Sequence, residues 1–112
     1  MAEKKVLVIV KSRPYTNLNT YEALRVAAGL WEHQVTLIWM GEGVHALLKN
    51  TDQTLYSKFY GDFPDLEIEA YVDEEALKTL GLGADDILPW VEPATREEIK
   101  ELVQQADASL VF

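Results

Sequence analysis

The chain has 112 residues, a net charge of −9 at pH 7 and no cysteine. This length suits one domain over residues 1–112, and an apolar content of 48% argues against wholesale disorder. The acidity argues against direct binding of nucleic acid, since phosphates are neutralised by clustered Lys and Arg, and the lack of cysteine excludes disulfides and thiolate metal sites.

The first half of the chain alternates apolar runs with helical patterns. Residues 6–10 form a continuous apolar run that predicts a strand, followed by a polar loop over residues 11–17. A helix is expected from Asn19 to Trp31, with Asn19 as its N-cap and Glu22 three residues further on. Residues 35–40 predict a second strand, and a Gly-Glu-Gly turn leads from it into a short helix that ends near Leu48.

Helical spacing returns in the middle of the chain, with aromatic residues. Four aromatics at i, i+3, i+4 and i+7 form one helical face, namely Tyr56, Phe59, Tyr60 and Phe63. Residues 66–72 then alternate between apolar and polar, which predicts a strand with one polar face, at an edge of the sheet or beside a partner.

The last third contains clear boundary signals. Asp73 is a predicted cap of a short helix that ends at Gly81, and residues 87–91 form an extended run that Pro89 confines to an edge or a bulge. Thr95 and Glu98 form a capping box before an amphipathic helix, and residues 110–112 predict a final strand.

Strands that alternate with helices predict a parallel sheet covered on both faces. The expected fold class is therefore α/β, a three-layer α/β/α arrangement with a mostly parallel sheet of about five strands.

The order of these elements and their turn residues resembles the DsrE/DsrF/TusC family of sulfur-relay proteins, and most of all its DsrF/TusC subunit type. The resemblance spans nearly the whole chain, and it lies in the order of several short motifs. These are Arg13-Pro14-Tyr15, Glu22-Ala23-Leu24, Gly41-Glu42-Gly43-Val44, residues 72–77 with Gly81-Leu82, and residues 107–112.

The resemblance implies a DsrE/DsrF-like fold and a chemistry based on a cysteine persulfide. In the DsrE/TusD branch the sulfur-carrying cysteine lies near the end of the third main strand, at or near Tyr71 of this chain. A phenol cannot carry a persulfide, so Tyr71 is either an aromatic suited to an edge strand or an interface residue. The DsrF/TusC branch is also thought to lack the cysteine and to act as a structural subunit.

The resemblance therefore implies a non-catalytic, cysteine-free subunit or homo-oligomer of a sulfur-relay system. Its partners would be subunits of the DsrE/TusD and DsrH/TusB types, and the pathway would be tRNA thiolation or sulfur oxidation. No membrane partner is expected, because no apolar run approaches the ~20 residues that span a bilayer. The N-terminal residues lack the regions of a signal peptide, so a cytoplasmic location is expected.

The loop after the first strand suggests an alternative function. It carries Lys11, Arg13, Tyr15 and Asn17, and folds with parallel strands bind ligands beyond the carboxyl ends of those strands. The loop is interpreted as an anion or substrate site, a partner contact or a solvated loop. The first of these would make the chain a small-ligand-binding or enzymatic α/β domain.

Other candidate sites have simpler explanations. Residues 41–46 formally match the dinucleotide fingerprint, but two glycines in a tight strand-to-helix turn account for the match without a ligand. His33 and His45 lack the partners of a metal site or a catalytic triad. We therefore expect no cofactor, no metal and no catalytic residue.

The aromatic content is generous for so small a core and predicts a subunit interface. The expected interface residues are Trp31, Trp39, Tyr56, Phe59, Tyr60, Phe63 and Tyr71. The protein is therefore predicted not to be a monomer.

Overall fold

A computed structural model describes residues 3–14, 18–30 and 32–112. It contains one five-stranded parallel sheet in the order β4-β3-β2-β1-β5. The strands are β1 (Lys5–Val10), β2 (Gln34–Trp39), β3 (Glu69–Asp73), β4 (Glu92–Ala94) and β5 (Ala108–Val111). The predicted α/β class and parallel sheet are confirmed.

Four α-helices cover the two faces of the sheet unequally. They are α1 (Asn19–Gly29), α2 (Ser57–Asp62), α3 (Glu74–Thr79) and α4 (Arg96–Gln105), and a 3-10 segment spans Gly41–Leu47. Residues of α1, α2 and α3 pack into the larger core, whereas α4 packs into a smaller core on the opposite face.

Alternation along the strands decides which residue enters which core. Val6, Val8 and Val10 of β1 belong to the larger core, and Leu7 belongs to the smaller one. The same period of two separates Leu37 from Ile38 in β2, because successive side chains of a strand point to opposite faces. Burial of these continuous apolar runs on both faces explains why β1 and β2 occupy the interior of the sheet.

Two strand predictions are corrected by the structure. The strand predicted at an edge or beside a partner is β3. The edge position is wrong, because β3 lies between β2 and β4 and pairs on both sides, whereas contact with a partner stays a prediction. Its polar face is tolerated because α4 covers that side of the sheet only in part. The edge strand beside β3 is β4, which begins after the predicted extended run over residues 87–91. Within that run, Ile87 forms an isolated bridge with Leu48.

The helix boundaries are partly as predicted. Thr95 and Glu98 form the capping box of α4, Asp73 accepts a hydrogen bond from the backbone N–H of Glu75 at the start of α3, and Gly81 has a φ of 70° just beyond it. Asn19 is not the cap of α1: Leu18 holds that position, and the Asn19 amide donates to Ser12 Oγ at 2.9 Å. Trp31, the predicted end of α1, lies outside the described residues.

The structure contains no helix, within the part of the chain that it describes, with the length and apolar character needed to cross a membrane.

Candidate functional site

The carboxyl ends of three neighbouring strands are tied together by backbone hydrogen bonds. The backbone N–H groups of Lys11 and Ser12 donate to the Phe112 carbonyl at 2.8 and 3.2 Å, and the N–H of Met40 donates to the Val10 carbonyl at 2.9 Å. The first residues of the predicted binding loop therefore hold a defined position beside β5 and the Gly41–Leu47 segment.

Arg13 forms an ion pair. Its guanidinium lies 3.3 Å from Glu42 Oε2, and His45 Nε2 lies 3.1 Å from the same oxygen. The charge of Arg13, one of the two cations of the predicted anion site, is thus partly neutralised by Glu42. The other cation, Lys11, is exposed. The other two predicted loop residues, Tyr15 and Asn17, lie outside the described residues, so the ligand hypothesis for this loop stays a prediction.

The Gly-Glu-Gly turn is explained by a close backbone approach. A Cβ atom on Gly43 would lie 2.3 Å from the Val10 carbonyl oxygen and 2.8 Å from its carbon. Real Cβ atoms do not approach another atom so closely, so only glycine fits here. Gly41 has a φ of 51°, a backbone conformation that also favours glycine. Both glycines of the apparent fingerprint thus have a role within the fold.

An ion pair between a buried carboxylate and an exposed guanidinium lies where β3 ends and α4 begins. Asp73 Oδ1 accepts from Arg96 Nε at 3.0 Å, and Asp73 Oδ2 lies 2.9 Å from Arg96 Nη2. The Asp73 side chain is 1% exposed, whereas that of Arg96 is 62% exposed. Sequence reasoning identified Asp73 only as a helix cap. Asp73 and Arg96 are 23 positions apart, so no pattern of neighbouring residues predicts this ion pair.

Tyr71 occupies the middle of β3, two residues before Asp73. It is half-buried against the smaller core, and its hydroxyl donates to Glu69 Oε2 at 3.3 Å. Burial raises the pKa of the Tyr71 phenol, and the negative charges of Glu69, Glu92 and Glu98 raise it further. The phenol therefore stays protonated at neutral pH and acts as a hydrogen-bond donor rather than as a nucleophile.

The predicted aromatic interface is largely internal. Trp39, Tyr56 and Phe63 are no more than 2% exposed and belong to the larger core. Trp90 covers this group, with its ring centroid 4.9 Å from that of Tyr60 and 6.0 Å from that of Trp39. The interface prediction is therefore wrong for the three buried residues, whose surface is used within the chain.

Two other predicted interface residues, Phe59 and Tyr60, are half-buried. Phe59 packs edge-on against Tyr21 of α1, and the Tyr60 hydroxyl donates to the Ala46 carbonyl at 3.4 Å. Sequence reasoning missed Trp90, because its neighbour Pro89 suggested an extended run rather than an aromatic cover.

Comparison with known proteins identifies the family. The family model described as "DsrE/DsrF-like family" matches residues 4–112. The chain belongs to the DsrE/DsrF-like family. The resemblance seen in the short motifs is thus confirmed over nearly the whole sequence.

Within the DsrE/DsrF-like family, the chain is similar to proteins named as TusC homologs. The chain is 31% identical over 94 residues to a Protein TusC homolog of Vibrio parahaemolyticus, covering 78% of this chain and 79% of that protein. It is 26% identical over 112 residues to a Protein TusC homolog of Aliivibrio fischeri, covering 93% and 95%.

Solved structures support the fold. The ychN protein from E. coli superposes with a TM-score of 0.85 at 18% identity, covering 97% of this chain and 99% of that one. The protein of unknown function MTH1491 from Methanobacterium thermoautotrophicum gives a TM-score of 0.65 at 17% identity, covering 92% and 90%. At these identities the likeness establishes the DsrE/DsrF-like fold alone.

The raised pKa of Tyr71 predicts a pH effect on stability. Because the folded protein holds the phenolic proton to higher pH than the unfolded chain, the stabilisation is complete below the unfolded pKa of about 10 and is lost as the pH rises through the folded pKa. Urea unfolding between about pH 8 and 11.5 is expected to show a smaller alkaline loss of stability in Tyr71→Phe than in the wild type. Tyr21→Phe, on the opposite face, is the matched control, and equal slopes for wild type and Tyr71→Phe would contradict the prediction.

Proposed function

We propose that this protein is a non-catalytic, cysteine-free subunit of an intracellular sulfur-relay system. The observation that carries the proposal is a family match over residues 4–112 in a chain that has no thiol. The names of the TusC homologs support the same assignment. The relay would serve tRNA thiolation or sulfur oxidation, and its location would be the cytoplasm.

The third strand supports a structural role. A sulfur carrier needs a thiolate, because the thiolate is the nucleophile that accepts sulfane sulfur. In β3 the candidate position is held by a protonated phenol, Tyr71, and the strand ends in a carboxylate that is already paired with Arg96. Neither group forms a stable bond to sulfane sulfur, so β3 offers no site for a sulfur carrier, and its role in this proposal is structural.

The partners in this proposal are subunits of the DsrE/TusD and DsrH/TusB types, or further copies of the chain. Exposed apolar residues support assembly: Val111 is 61% exposed, Val103 is 43% exposed and Leu110 is 37% exposed. Two of these residues belong to the edge strand β5, which leaves one row of backbone donors and acceptors unpaired within the described sheet.

Native mass spectrometry tests assembly directly. The chain is purified alone and after co-expression with sister subunits of the two types from the same organism. We expect this chain in a complex of fixed stoichiometry, formed either with further copies of itself or with the sister subunits. A single-chain mass at tens of micromolar in both preparations would contradict the proposal.

A labelling experiment tests whether the isolated chain carries sulfur. The isolated chain is incubated with a cysteine desulfurase and labelled cysteine, and the covalent label on each protein is counted after denaturation. We expect no label on this chain and stable label on a cysteine-bearing DsrE/TusD-type sister in the same tube. Label that stays on this chain after denaturation would overturn the non-catalytic assignment.

A further inference from the structure

The face of the sheet that carries α4 is only partly covered. Helix α4 buries Leu7, Ile38 and Ala94 through Ile99, but Ile9, Met40 and Tyr71 remain half-buried beside it. Two adjoining cavities of about 180 and 140 Å³ lie between α4 and the sheet, and Leu102 and Gln105 line both. Together they form a continuous surface, which we call the α4 groove.

One end of the α4 groove is strongly acidic. Glu69 lines the larger cavity, and Glu98 and Glu101 line the smaller one beside Tyr71. Glu92 adds a fourth carboxylate, close enough to Tyr71 to raise the pKa of its phenol. Among the described residues none of these four glutamates has a cation within 4.0 Å, since the ion pairs involve other acids.

The cations near the α4 groove do not neutralise this end. Arg96 is held by Asp73 at 2.9 Å, and Lys5 lines the larger cavity without forming an ion pair with Glu69. Lys100 is an exposed residue of α4 that lines neither cavity.

Glu98 accepts hydrogen bonds from Thr95 in the capping box, and Glu69 accepts one from Tyr71. Because no described cation forms an ion pair with any of the four carboxylates, they repel one another and attract a cation, and the half-buried ring adds a cation–π contribution.

The neighbouring surface determines which cation fits. The groove also contains the half-buried apolar side chains of Leu102 and Ala106, which a free metal ion does not need. Phosphate groups are repelled by the four glutamates, so a nucleic acid does not fit. An arginine or lysine side chain flanked by apolar side chains satisfies both parts of the groove.

We propose that the α4 groove docks a polypeptide segment of a partner protein, which places an Arg or Lys side chain over Tyr71 among Glu69, Glu92, Glu98 and Glu101. Its apolar neighbours pack against Leu102 and Ala106, which line the larger cavity and are half-buried. The proposal rests on the proposed function for the identity of the partner, a sister subunit of the relay. The chemistry of the groove itself does not depend on that identity.

A probe peptide tests the groove without any sister subunit. Acetyl-Leu-Arg-Leu-Arg-Leu-amide is titrated into ¹⁵N-labelled protein, with a peptide that carries glutamine in place of arginine as its control. We expect amide shifts confined to residues 5–7, 34–36, 69–73 and 92–106, which line or flank the groove. The shifts should be saturable with the arginine peptide and absent with the glutamine peptide. Shifts spread over acidic residues elsewhere, or the same shifts with Ca²⁺ alone and none with the peptide, would overturn the proposal.

Charge variants then test the contact within the assembly. Glu92→Gln with Glu101→Gln is compared with Glu75→Gln and Glu97→Gln, two exposed acids of α3 and α4 that line neither cavity. We expect the groove variant to bind both the peptide and the sister subunits about tenfold more weakly, and the control variant to bind as the wild type does.

The two proposals fail in different ways. If sister subunits assemble equally well with the wild type and the groove variant, the docking proposal fails and the proposed function stands. If the chain assembles neither with sisters nor with itself, but the arginine peptide binds with the expected charge dependence, the proposed function fails and the groove stands.

Discussion

Replacing Gly43 with alanine is expected to lower the free energy of unfolding by about 3 kcal/mol, because the new Cβ overlaps backbone rather than a movable side chain. The overlap is with the Val10 carbonyl, 2.3 Å away, and that carbonyl is already held by the N–H of Met40. The end of β1 or the Gly41–Leu47 segment must therefore shift. Thermal unfolding monitored by circular dichroism should show a midpoint lowered by about 10 °C or more.

Gly61→Ala is the matched control for this substitution. Gly61 lies within α2, and a Cβ atom there would have no heavy atom within 4 Å. Alanine is favoured over glycine in a helix, so this variant should be unchanged or more stable by up to about 1 kcal/mol. A Gly43→Ala protein as stable as Gly61→Ala would show that the close approach does not constrain the turn.

Replacing Arg96 with methionine is expected to lower the free energy of unfolding by about 2–3 kcal/mol. The loss arises because the Asp73 carboxylate, 1% exposed, would lose the guanidinium that now lies 2.9 Å away. Asp73→Asn should cost less than Arg96→Met. It removes the buried charge, leaves Arg96 free to be hydrated at 62% exposure, and keeps an oxygen that caps α3.

Urea unfolding of the two single variants and the double variant measures this asymmetry. Arg25→Met is the surface control, because Arg25 pairs with Glu22 on α1 with both side chains at least 41% exposed, and such pairs contribute about 0–1 kcal/mol. Equal losses in Arg96→Met and Arg25→Met would contradict a special role for the buried carboxylate.

The position of this pair bears on the function. Alternation in β3 directs Glu69, Tyr71 and Asp73 toward α4, while Ala70 and Val72 enter the larger core. The end of the third strand is therefore polar, ion-paired and free of thiols, and the surface beside it is the acidic end of the α4 groove. Under the two proposals above, the third strand stabilises the protein's own fold and also contacts a neighbouring subunit.

The amino-acid sequence by itself determined the fold class, the family and the absence of thiol chemistry. Continuous apolar runs at β1 and β2, the Asp73 cap and the capping box at Thr95 are local signals, so each was readable from a few neighbouring residues. The family likeness is also visible in the sequence, because it lies in short motifs whose order along the chain can be read without the structure.

Only the tertiary structure decided where β3 lies and which aromatics are buried. The alternation of β3 indicated an edge, but sheet order depends on pairing with β4, a three-residue strand that contains Pro93 and has no strong pattern of its own. Trp39 and Phe63 are buried because Trp90, distant in sequence, packs against both rings. The Asp73–Arg96 pair and the α4 groove likewise join residues from separate elements, and such contacts form only when the chain is folded.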